Sequence, residues 1–418
     1  MITVGKLYPY LDLKKWSLIF SVGVGLTIAG AISLAYQWMP GLTMSLVGVA
    51  MITFSAVTVV RLVIKTLAPD YGDRVVETLH RRYELGRGPK IVVVGGGTGL
   101  STLLRGLKES TGNLTAIVTV ADDGGSSGRL RKEMGVLPPG DIRNCLVALA
   151  DSEPLMARLF EYRYPEGDPT GLGGHTFGNL FIATMSAITG DFEEAVKESS
   201  RVLAVRGHVL PPTLENVTLI AECQGGGVVY GESTIGKCGA RIERLSLQPE
   251  NPQALPEALQ SIAEADAIVL GPGSLFTSVI PNLLVAGIRD AIYESKAPRI
   301  YVCNVMTQPG ETDCFTAADH VKAITDHAGG GIIDYVLINS GGVPPKLAEK
   351  YSLEGAYPVE VDKDRLKLLG IRLIEEDLIS NKDYARHDPV RLAEAVLRII
   401  STADKSFKNK SQLTQRVS

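Results

Sequence analysis

Two long apolar runs dominate the hydrophobic pattern at the start of the chain. They cover Trp16–Tyr36 and Leu42–Val60, and no acidic, basic or histidine residue occurs between Lys15 and Arg61. Each run has about the 20 residues that a helix needs to cross the core of a bilayer. We therefore predict a transmembrane helical hairpin over residues 1–67. The alternative is a helical hairpin buried within a soluble protein.

Basic residues flank this hairpin on both sides: Lys6, Lys14 and Lys15 come before it, and Arg61 and Lys65 end it. Because the short cytoplasmic segments of membrane proteins carry an excess of Lys and Arg, both ends of the hairpin are expected in the cytoplasm. The main domain would then lie in the cytoplasm, held at the inner (cytoplasmic) membrane by two spans. Residues 68–88 are interpreted as a juxtamembrane linker.

Short apolar runs alternate with helical patterns from residue 89 to residue 403. Runs that are apolar at almost every position are typical of strands buried on both faces of a parallel sheet. The alternation predicts an α/β fold, a Rossmann-like, doubly wound and mainly parallel sheet. The predicted strands are Ile91–Val94, Ala116–Val120, Ala267–Leu270, Arg299–Cys303 and Tyr335–Ile338, and the predicted helices include Ser101–Glu109, Asp141–Ala150, Pro281–Glu294 and Thr316–His327.

Two stretches depart from this alternation. Short β-rich runs separated by Gly-rich turns predict a small antiparallel insertion at Asn216–Glu222, Gly227–Glu232 and Arg241–Leu247. The final segment 404–418 is polar and is predicted to be a disordered tail. The predicted order is therefore a hairpin, a linker, one nucleotide-binding domain and a tail.

Composition narrows the function classes. The 418 residues include 42 Lys and Arg against 46 Asp and Glu, so a nucleic-acid partner, which would favour a basic excess, is not expected. The hydrophobic share of 45% excludes disorder as the main state. The five cysteines follow no ligand-like spacing, so we expect free thiols in a reducing compartment and no zinc site.

The first candidate for chemistry is the glycine-rich turn that follows the first predicted strand. Glycine lets the backbone turn sharply and lets an anion approach main-chain N–H groups, and the start of a helix adds partial positive charge. A phosphate-binding turn is predicted at Gly96, Gly97, Thr98 and Gly99. Leu100 stands where the dinucleotide fingerprint has its third glycine, so that fingerprint is not met.

A second loop follows the next strand and should lie beside the first at the carboxyl edge of the sheet. Asp122 and Asp123 could bind ribose hydroxyls or Mg²⁺, and Arg129 could pair with a phosphate. The donor-rich part of this loop is Gly124, Gly125, Ser126 and Ser127. The alternative is a mobile surface loop without a ligand.

Two further turns stand before predicted helices. Asn144 and Asn179 lie in first turns, where a polar side chain can face a ligand, and Asp141 is a plausible N-cap. His175 lies among glycines and could act as an acid, a base or a phosphate contact. These positions are equally compatible with ordinary capping and packing roles.

A second strand–glycine–helix unit occurs at Gly271, Gly273 and Ser274. Two such units in one domain predict opposite sides of one cleft at the point where the strand order reverses. The segment Gly231–Cys238 is close to a phosphate-binding P-loop, but it ends in Cys where Ser or Thr must bind Mg²⁺ and lies in hairpin-like sequence, so we reject it.

Taken together, five strings resemble the gluconeogenesis factor (YvcK-like) family, which is related to 2-phospho-L-lactate transferase (CofD-like). The resemblance spans about residues 89–402 and does not include the hairpin, whereas family members are otherwise cytoplasmic. The strings are Gly95–Leu100, Val120–Arg131, Pro139–Asn144, Gly174–Asn179 and Gly271–Ser274.

The resemblance implies a Rossmann-like, nucleotide-sugar-binding regulatory protein that links carbon metabolism to cell-wall precursor supply and cell shape. A ligand such as UDP-N-acetylglucosamine is expected, with no required cofactor, and the partner would be a cell-wall or amino-sugar biosynthetic enzyme. Tyr351 and Arg386 match family positions, so the resemblance implies that Tyr351 stacks on the base and that Arg386 holds the base or its phosphates. A homo-oligomer is also expected.

The transferase relatives imply the alternative function. Those enzymes join a phospholactate group from a nucleotide diphosphate donor to a deazaflavin and use Mg²⁺. If chemistry remains, Asp122, Asp123 and His175 are the catalytic candidates, with the two aspartates as metal ligands. An NAD-dependent dehydrogenase is a third possibility, against which the absent third glycine counts.

Overall fold

The computed structural model describes residues 13–34, 36, 38–67, 80–81, 83–151, 154–167, 169–237, 239–380 and 385–417. Within these ranges, side chains are described from residue 15 to residue 62 and from residue 80 to residue 403. The chain divides into two compact units, Met1–Glu84 and Leu85–Ser418. We call them the hairpin unit and the sheet unit. Most of the predicted linker 68–88 lies outside the described residues.

The hairpin unit consists of α1 (Leu13–Ser33) and α2 (Trp38–Leu67), so both predicted apolar helices are present. Small residues line the contact between them. A Cβ added at Gly48 would lie 2.3 Å from Thr27 Oγ1, and one added at Gly30 would lie 2.5 Å from Ser45 Oγ. The two backbones therefore approach so closely that larger residues would not fit.

The outer surface of this hairpin is apolar. Segments Lys15–Ser33 and Trp38–Leu62 are long and apolar enough to cross a membrane, by length and composition. In the most apolar 18-residue stretch of each segment, only 11% is buried within the structure. That share differs from the mostly buried core helix of a soluble protein, which was the alternative interpretation of these runs.

The sheet unit is built on a seven-stranded parallel sheet in the order β10-β9-β8-β7-β1-β2-β3. The chain moves outward from β1 in one direction and from β7 in the other, so the strand order reverses between these two neighbours. The strands are β1 (Ile91–Gly95), β2 (Leu114–Val118), β3 (His208–Leu210), β7 (Ala267–Leu270), β8 (Arg299–Val302), β9 (Tyr335–Asn339) and β10 (Arg372–Glu376).

Helices cover the sheet and bury its strands in one core. The four central strands β1, β2, β7 and β8 are buried at almost every position, which is why their sequences are apolar except at Thr115 and Arg299. The helices are α3 (Gly97–Leu107), α4 (Gly125–Met134), α5 (Gly140–Leu149), α6 (Pro154–Glu161), α7 (Phe177–Thr189), α8 (Phe192–Val202), α9 (Glu232–Ile235), α10 (Pro256–Ala263), α11 (Ile280–Leu283), α12 (Ile288–Glu294), α13 (Ala317–Ala328), α14 (Pro345–Leu353), α15 (Lys363–Leu368) and α16 (Pro389–Val417).

The predicted antiparallel insertion is present as a second sheet in the order β5-β4-β6. Its strands are β4 (Thr218–Cys223), β5 (Gly227–Tyr230) and β6 (Ile242–Gln248). The rejected P-loop string begins directly after β5 and contains the four-residue helix α9. This placement agrees with the sequence argument, since a P-loop requires a long helix after its turn.

Both edge strands of the large sheet were absent from the sequence prediction. The strands β3 and β10 contain charged or polar residues because one side of an edge strand faces solvent, so their patterns are not continuously apolar. The predicted helix Pro281–Glu294 is broken, because Gly287 adopts a φ of +89° between α11 and α12. A π-helical turn, Leu275–Val279, precedes α11.

The carboxyl-terminal segment also differs from its prediction. The helix α16 continues to Val417, across the stretch 404–418 that the sequence predicts to be disordered. The first part of α16 packs into the core through Leu392, Val396 and Ile399. Residues such as Lys, Gln and Leu have high helix propensity, so they extend a helix that is already anchored by packing.

The cysteines require one correction. Three cysteines have the free thiols that the sequence analysis expects: Cys145 and Cys303 are buried, and Cys314 is exposed. Cys223, at the end of β4, is disulfide-bonded. The expectation of free thiols throughout is therefore wrong at this position, while Cys238 lies outside the described residues.

Candidate functional site

A cleft of about 560 Å³ opens at the carboxyl ends of β1 and β7, where the strand order reverses. Its volume lies within the usual range of small-molecule sites. Its described lining comes from the loops after β1, β2, β7 and β8, from α14, from the insertion and from the segment before α16. The residues are Gly97, Thr98, Gly99, Thr102, Thr119, Asp122, Asp141, Glu232, Pro272, Gly273, Ser274, Thr277, Ser278, Asn304, Val305, Met306, Thr307, Gln308, Pro309, Tyr351, Glu354, Ala356, Ala385, Arg386 and His387.

The glycine turns after β1 and β7 meet at the floor of this cleft. A Cβ added at Gly99 would lie 2.7 Å from the carbonyl oxygen of Pro272, and one added at Gly273 would lie 3.0 Å from the carbonyl oxygen of Gly96. Neither position therefore has room for a side chain without movement of backbone. The structure places the two strand–glycine–helix units on one cleft, as the sequence predicts.

One backbone amide at the start of α3 is already occupied. Gly97 adopts a φ of +68°, and its N–H donates a hydrogen bond to the buried carboxylate of Asp141. Asp141 lies in the first turn of α5, whose N-cap is Pro139, so the N-cap interpretation of Asp141 is wrong. The carboxylate instead ties α5 to the first glycine turn.

Carboxyl groups form one wall of the cleft. Burial, together with the nearby Asp122 carboxylate, raises the pKa of Asp141 to about 6. Burial also raises the pKa of Glu232 to about 7, assisted by Asp122 and Glu311. Neutral and charged forms of these groups therefore coexist near pH 7, which reduces the negative charge of the wall.

The two aspartates of the second loop have different positions. Asp122 lines the cleft, and its Oδ1 accepts a hydrogen bond of 2.9 Å from the Gly124 N–H. Asp123 accepts a hydrogen bond of 2.8 Å from the Ser233 N–H and lies against Gly231. It thus connects the loop to the insertion, and it is not among the lining residues.

His175 belongs to a buried polar network beside the loop. Its Nδ1 lies 3.0 Å from Ser126 Oγ, and Asn179 Nδ2 donates to the same oxygen over 3.0 Å. Arg143 donates to Asn179 Oδ1 and to Asn144 Oδ1. Burial lowers the pKa of His175, so the imidazole is neutral near pH 7. The network holds α4, α5 and α7 together, and its members are absent from the described lining.

The remaining predicted residues are placed as follows. Ser127 Oγ accepts from the Gly140 N–H over 3.1 Å, and Arg129 donates to the Gly173 carbonyl over 2.7 Å. Gly125 begins α4 with a φ of +46°. Gly96 and Gly271 form the backbone beneath the two turns, where the Gly271 N–H donates to the Val94 carbonyl. A ligand role for these positions stays a prediction.

One part of the cleft lining is apolar. Val305, Met306 and Ala385 are buried in a small cluster, against which Tyr351 packs. Arg386 follows Ala385, lines the cleft and is exposed. The two residues that family resemblance associates with a base thus both line the cleft, and Tyr351 packs against this apolar cluster.

Sequence reasoning missed several lining residues. Asn304 Nδ2 donates to the Gly273 carbonyl and to Gln308 Oε1, and Gln308 Nε2 donates to Ser274 Oγ over 2.6 Å. Their position just after β8 was a signal, because that strand ends at the same edge of the sheet. Glu232 had no such signal, since only the folding of the insertion brings it to the cleft.

These features define an α/β protein of the doubly wound type with a glycine-floored cleft at its switch point. Residues 91–379 match the family model described as 2-phospho-L-lactate transferase CofD. The gluconeogenesis factor of Bacillus subtilis is 52% identical over 317 residues, covering 76% of this chain and 99% of that protein. The chain therefore belongs to the gluconeogenesis factor family and carries its CofD-type domain.

Two relatives extend further toward the amino end. A Nostoc sp. relative is 47% identical and covers 94% of this chain and 91% of its own length. A Deinococcus radiodurans relative is 40% identical and covers 96% of this chain and 90% of its own. The two alignments leave out at most 6% of this chain, which is about 25 of 418 residues. Because α2 begins at Trp38, both alignments must include it.

A crystal structure of a protein from Bacillus halodurans has the same fold. It is 51% identical, superposes with a TM-score of 0.72, and covers 74% of this chain and 100% of that chain. At this identity the fold of the sheet unit is shared in detail.

Proposed function

We propose that the chain is a nucleotide-sugar-binding regulatory protein of this family, with UDP-N-acetylglucosamine as the model ligand, and that it links carbon metabolism to cell-wall precursor supply and cell shape. The observation that carries the proposal is the contact between the two glycine turns at the floor of the cleft. Turns without side chains leave backbone amides open to an anion, and a diphosphate fits between two such turns.

The lining contains groups that suit both parts of this ligand. The apolar cluster beside Tyr351 offers an apolar surface for a base, and Arg386 offers a cation for the base or for a phosphate. Thr98, Thr119 and Ser274 offer hydroxyl and backbone groups suited to polar ligand atoms. The volume of about 560 Å³ accommodates a ligand of this size.

Charge in the cleft favours Mg²⁺ as a companion of the diphosphate. Among the described lining residues, Asp122, Asp141, Glu232 and Glu354 are acidic, and Arg386 is basic. The described residues contain no cluster of three protein ligands for a metal. Mg²⁺ is commonly held by one or two carboxylates together with ligand phosphates, and Asp122 with Asp141 would supply the protein part. Such an ion would neutralise the repulsion between the carboxylates and the diphosphate.

The hairpin unit supports a membrane location within this proposal. Its helices bury small residues against each other and leave large apolar side chains outside, including Leu18, Ile28, Leu46 and Phe54. Basic residues on both flanks support a cytoplasmic location of both ends. We therefore propose that the sheet unit acts at the cytoplasmic face of the inner membrane, on a cell-wall or amino-sugar enzyme and as a homo-oligomer.

Isothermal titration of the full chain with UDP-N-acetylglucosamine, with and without Mg²⁺, tests the proposal. We expect saturable binding that UDP competes for and that Mg²⁺ strengthens. Arg386→Ala should weaken it, whereas Arg372→Ala should not, because Arg372 contacts Tyr335 away from the cleft. Absence of heat and of competition by UDP would remove the proposal.

The carboxyl wall also favours a second candidate, a CofD-like transferase. Buried carboxyl groups with raised pKa values are typical of sites that move protons or hold Mg²⁺. The test is product formation when a guanylylated phospholactate donor and a deazaflavin are supplied with Mg²⁺. Turnover that is lost in Asp122→Asn would support this candidate, and no turnover would leave the binding function alone.

A further inference from the structure

A chain of side-chain hydrogen bonds runs along the second glycine turn of the cleft. Asn304 Nδ2 donates to the Gly273 carbonyl over 2.9 Å and to Gln308 Oε1 over 3.2 Å. Gln308 Nε2 in turn donates to Ser274 Oγ over 2.6 Å. All four residues line the cleft and are only partly buried, so this chain of bonds lies at the wall of the cleft and not in the core.

The Gly273 carbonyl fixes the direction of each bond in this chain. A backbone carbonyl only accepts, so Asn304 must turn its amide nitrogen toward Gly273. The same nitrogen meets Gln308, which must therefore present its Oε1. This leaves the Gln308 amide nitrogen facing Ser274, whose oxygen accepts the bond. With Gln308 turned the other way, two amide nitrogens would face each other without an acceptor between them.

The hydroxyl hydrogen of Ser274 is therefore directed to another group. Because Gln308 donates to Ser274 Oγ, this hydrogen points away from Gln308. Ser274 is the N-cap of the π-helical turn Leu275–Val279, where a serine oxygen commonly accepts from the backbone of its helix, yet it makes no such bond. Within the described ranges, no acceptor takes the hydrogen. The wall of the cleft thus offers one hydroxyl donor to a ligand.

The backbone of Gln308 is anchored on both sides. Its N–H donates to Thr312 Oγ1 over 2.8 Å, and its carbonyl accepts from the N–H groups of Glu311 and Thr312. Thr312 is fully buried. A side chain on such an anchored turn is suited to hold its neighbour in one orientation, because little of its own backbone freedom remains to be lost.

The place of Ser274 in the cleft indicates the part of the ligand that it meets. Ser274 directly follows Gly273, where an added Cβ would lie 3.0 Å from the Gly96 carbonyl. The hydroxyl therefore stands beside the contact between the two glycine turns, to which the proposed function assigns the diphosphate. A non-bridging phosphate oxygen is charged and accepts hydrogen bonds, so it matches a hydroxyl donor.

We propose that Gln308 is a positioning residue, which holds the Ser274 hydroxyl as a hydrogen-bond donor to a phosphate oxygen of the bound nucleotide. Asn304 sets the orientation of the Gln308 amide and so belongs to the same device. This inference rests on the proposed nucleotide function and deepens it, since it assigns the donor that reads the diphosphate and the residues that orient it.

Titration of the full chain with UDP, together with competition by uridine against labelled UDP-N-acetylglucosamine, tests this assignment. UDP carries the diphosphate and uridine does not, so the ratio of the two affinities isolates the contribution of the diphosphate. Ser274→Ala should weaken UDP binding by about tenfold or more, as expected of a hydrogen bond to a charged group. It should leave uridine binding unchanged within about twofold, because uridine has no phosphate to lose.

A double-mutant cycle shows whether Gln308 acts through Ser274. Gln308→Met keeps a long side chain and removes its amide, so the hydroxyl is no longer held as a donor and UDP binding should weaken about threefold to tenfold. In the Ser274→Ala background, Gln308→Met should change UDP binding by less than about twofold, because the group on which it acts is absent. A residue that only supports the fold would weaken binding equally in both backgrounds.

Gln253→Met is the matched control. Gln253 is exposed, its Nε2 donates to the Asn251 carbonyl over 3.2 Å, and it is not part of the described cleft lining. The same substitution at this position should leave both affinities unchanged. A ratio of UDP to uridine affinity measured within one variant does not depend on how much of the protein is folded.

The outcomes separate the inference from the function on which it rests. Unchanged UDP binding in Ser274→Ala, or an equal effect of Gln308→Met in both backgrounds, would overturn the inference and leave nucleotide binding intact. An equal loss of UDP and uridine binding in Ser274→Ala would mean that the residue shapes the cleft as a whole, and would overturn it as well. No binding of UDP by the natural chain would overturn the proposed function together with the inference.

Discussion

The hairpin unit and the sheet unit use glycine at their closest contacts, but they distribute apolar side chains in opposite ways. In the sheet unit, strands such as Val92–Val94 are buried, and polar residues face outward. In the hairpin, Gly23 and Gly48 are inside while Leu18 and Phe54 are outside. Helix association in lipid depends on close packing rather than on hiding apolar surface. The two units therefore differ in which side chains they bury and which they expose.

The relatives divide along the same line. The Bacillus subtilis relative is matched over nearly its whole length by 76% of this chain, whereas the Nostoc sp. alignment must include α2. The family therefore contains a protein that is matched by about three quarters of this chain, as well as relatives whose alignment includes α2.

The largest expected effect comes from removing residues 1–84. We expect the full chain to sediment with membranes and to resist extraction by alkaline carbonate, and the shortened chain to be entirely in the soluble fraction. The affinities of the two forms for UDP-N-acetylglucosamine should agree within about twofold, because no cleft residue is removed. On this scale a tenfold difference in affinity corresponds to about 1.4 kcal/mol of binding free energy. Quantitative blotting of the fractions measures the first effect. A full chain that is already soluble would show that the hairpin is not a membrane anchor.

The second effect concerns the floor of the cleft. Gly99→Val would place a side chain 2.7 Å from the Pro272 carbonyl, so the two turns would have to separate. We expect a loss of about 3 kcal/mol in the free energy of unfolding, as for an overpacked core, and a loss of ligand binding. Urea denaturation followed by circular dichroism provides the measurement.

The control for this variant is Gly330→Val, because an added Cβ at Gly330 meets nothing within 4 Å among the described residues. It should retain both stability and binding. If Gly99→Val also bound the ligand normally, the two turns would not form the ligand site.

The third effect tests the packing of the hairpin. Gly48→Ala would place a Cβ 2.3 Å from Thr27 Oγ1, and we expect it to destabilise the helix pair by about 1–2 kcal/mol. The chain has only two tryptophans, Trp16 and Trp38, and both lie in this unit. Tryptophan fluorescence during denaturation in detergent therefore reports on the hairpin alone.

Gly25→Ala is the matched control, since no described atom lies within 4 Å of its added Cβ. Its fluorescence transition should coincide with that of the natural chain. Identical transitions for both variants would contradict close packing at Gly48. Ligand binding should be unaffected in either case, in line with the separation of the two units.

The smallest effect is a pH dependence confined to the sheet unit. The pKa of Glu232 rises from the usual 4.5 to about 7 on folding, so between these values the folded state holds a proton that the unfolded state has lost. Stability should therefore fall as the pH rises through this window. Glu232→Gln removes the effect, and its stability advantage should grow between pH 5 and pH 8 to on the order of 1 kcal/mol.

Thermal unfolding of both proteins across this pH range measures the advantage. Glu264→Gln is the contrasting control, because Lys90 lowers the pKa of the exposed Glu264 and its removal should bring no gain at high pH. The tryptophan signal of the hairpin should show no change with Glu232→Gln. An advantage that is constant with pH would mean that Glu232 is charged throughout.

The sequence predicted much of this architecture because three of its signals are strong and local. A run of about twenty apolar residues without a charge is incompatible with an ordinary water-exposed helix, so the hairpin could be recognised. The continuously apolar strands β1, β7 and β8 indicated a parallel sheet covered on both faces. The glycines after β1 and β7 indicated tight turns at its carboxyl edge.

The remaining features were decided by tertiary structure, because they depend on which distant residues meet. Asp141 was expected to cap its own helix, but its carboxylate accepts from the Gly97 N–H forty-four residues earlier in the chain. His175 was expected near a ligand, but Ser126 and Asn179 engage it in the interior. Residue type and spacing do not reveal such pairings, since burial and partner are set only when the elements pack.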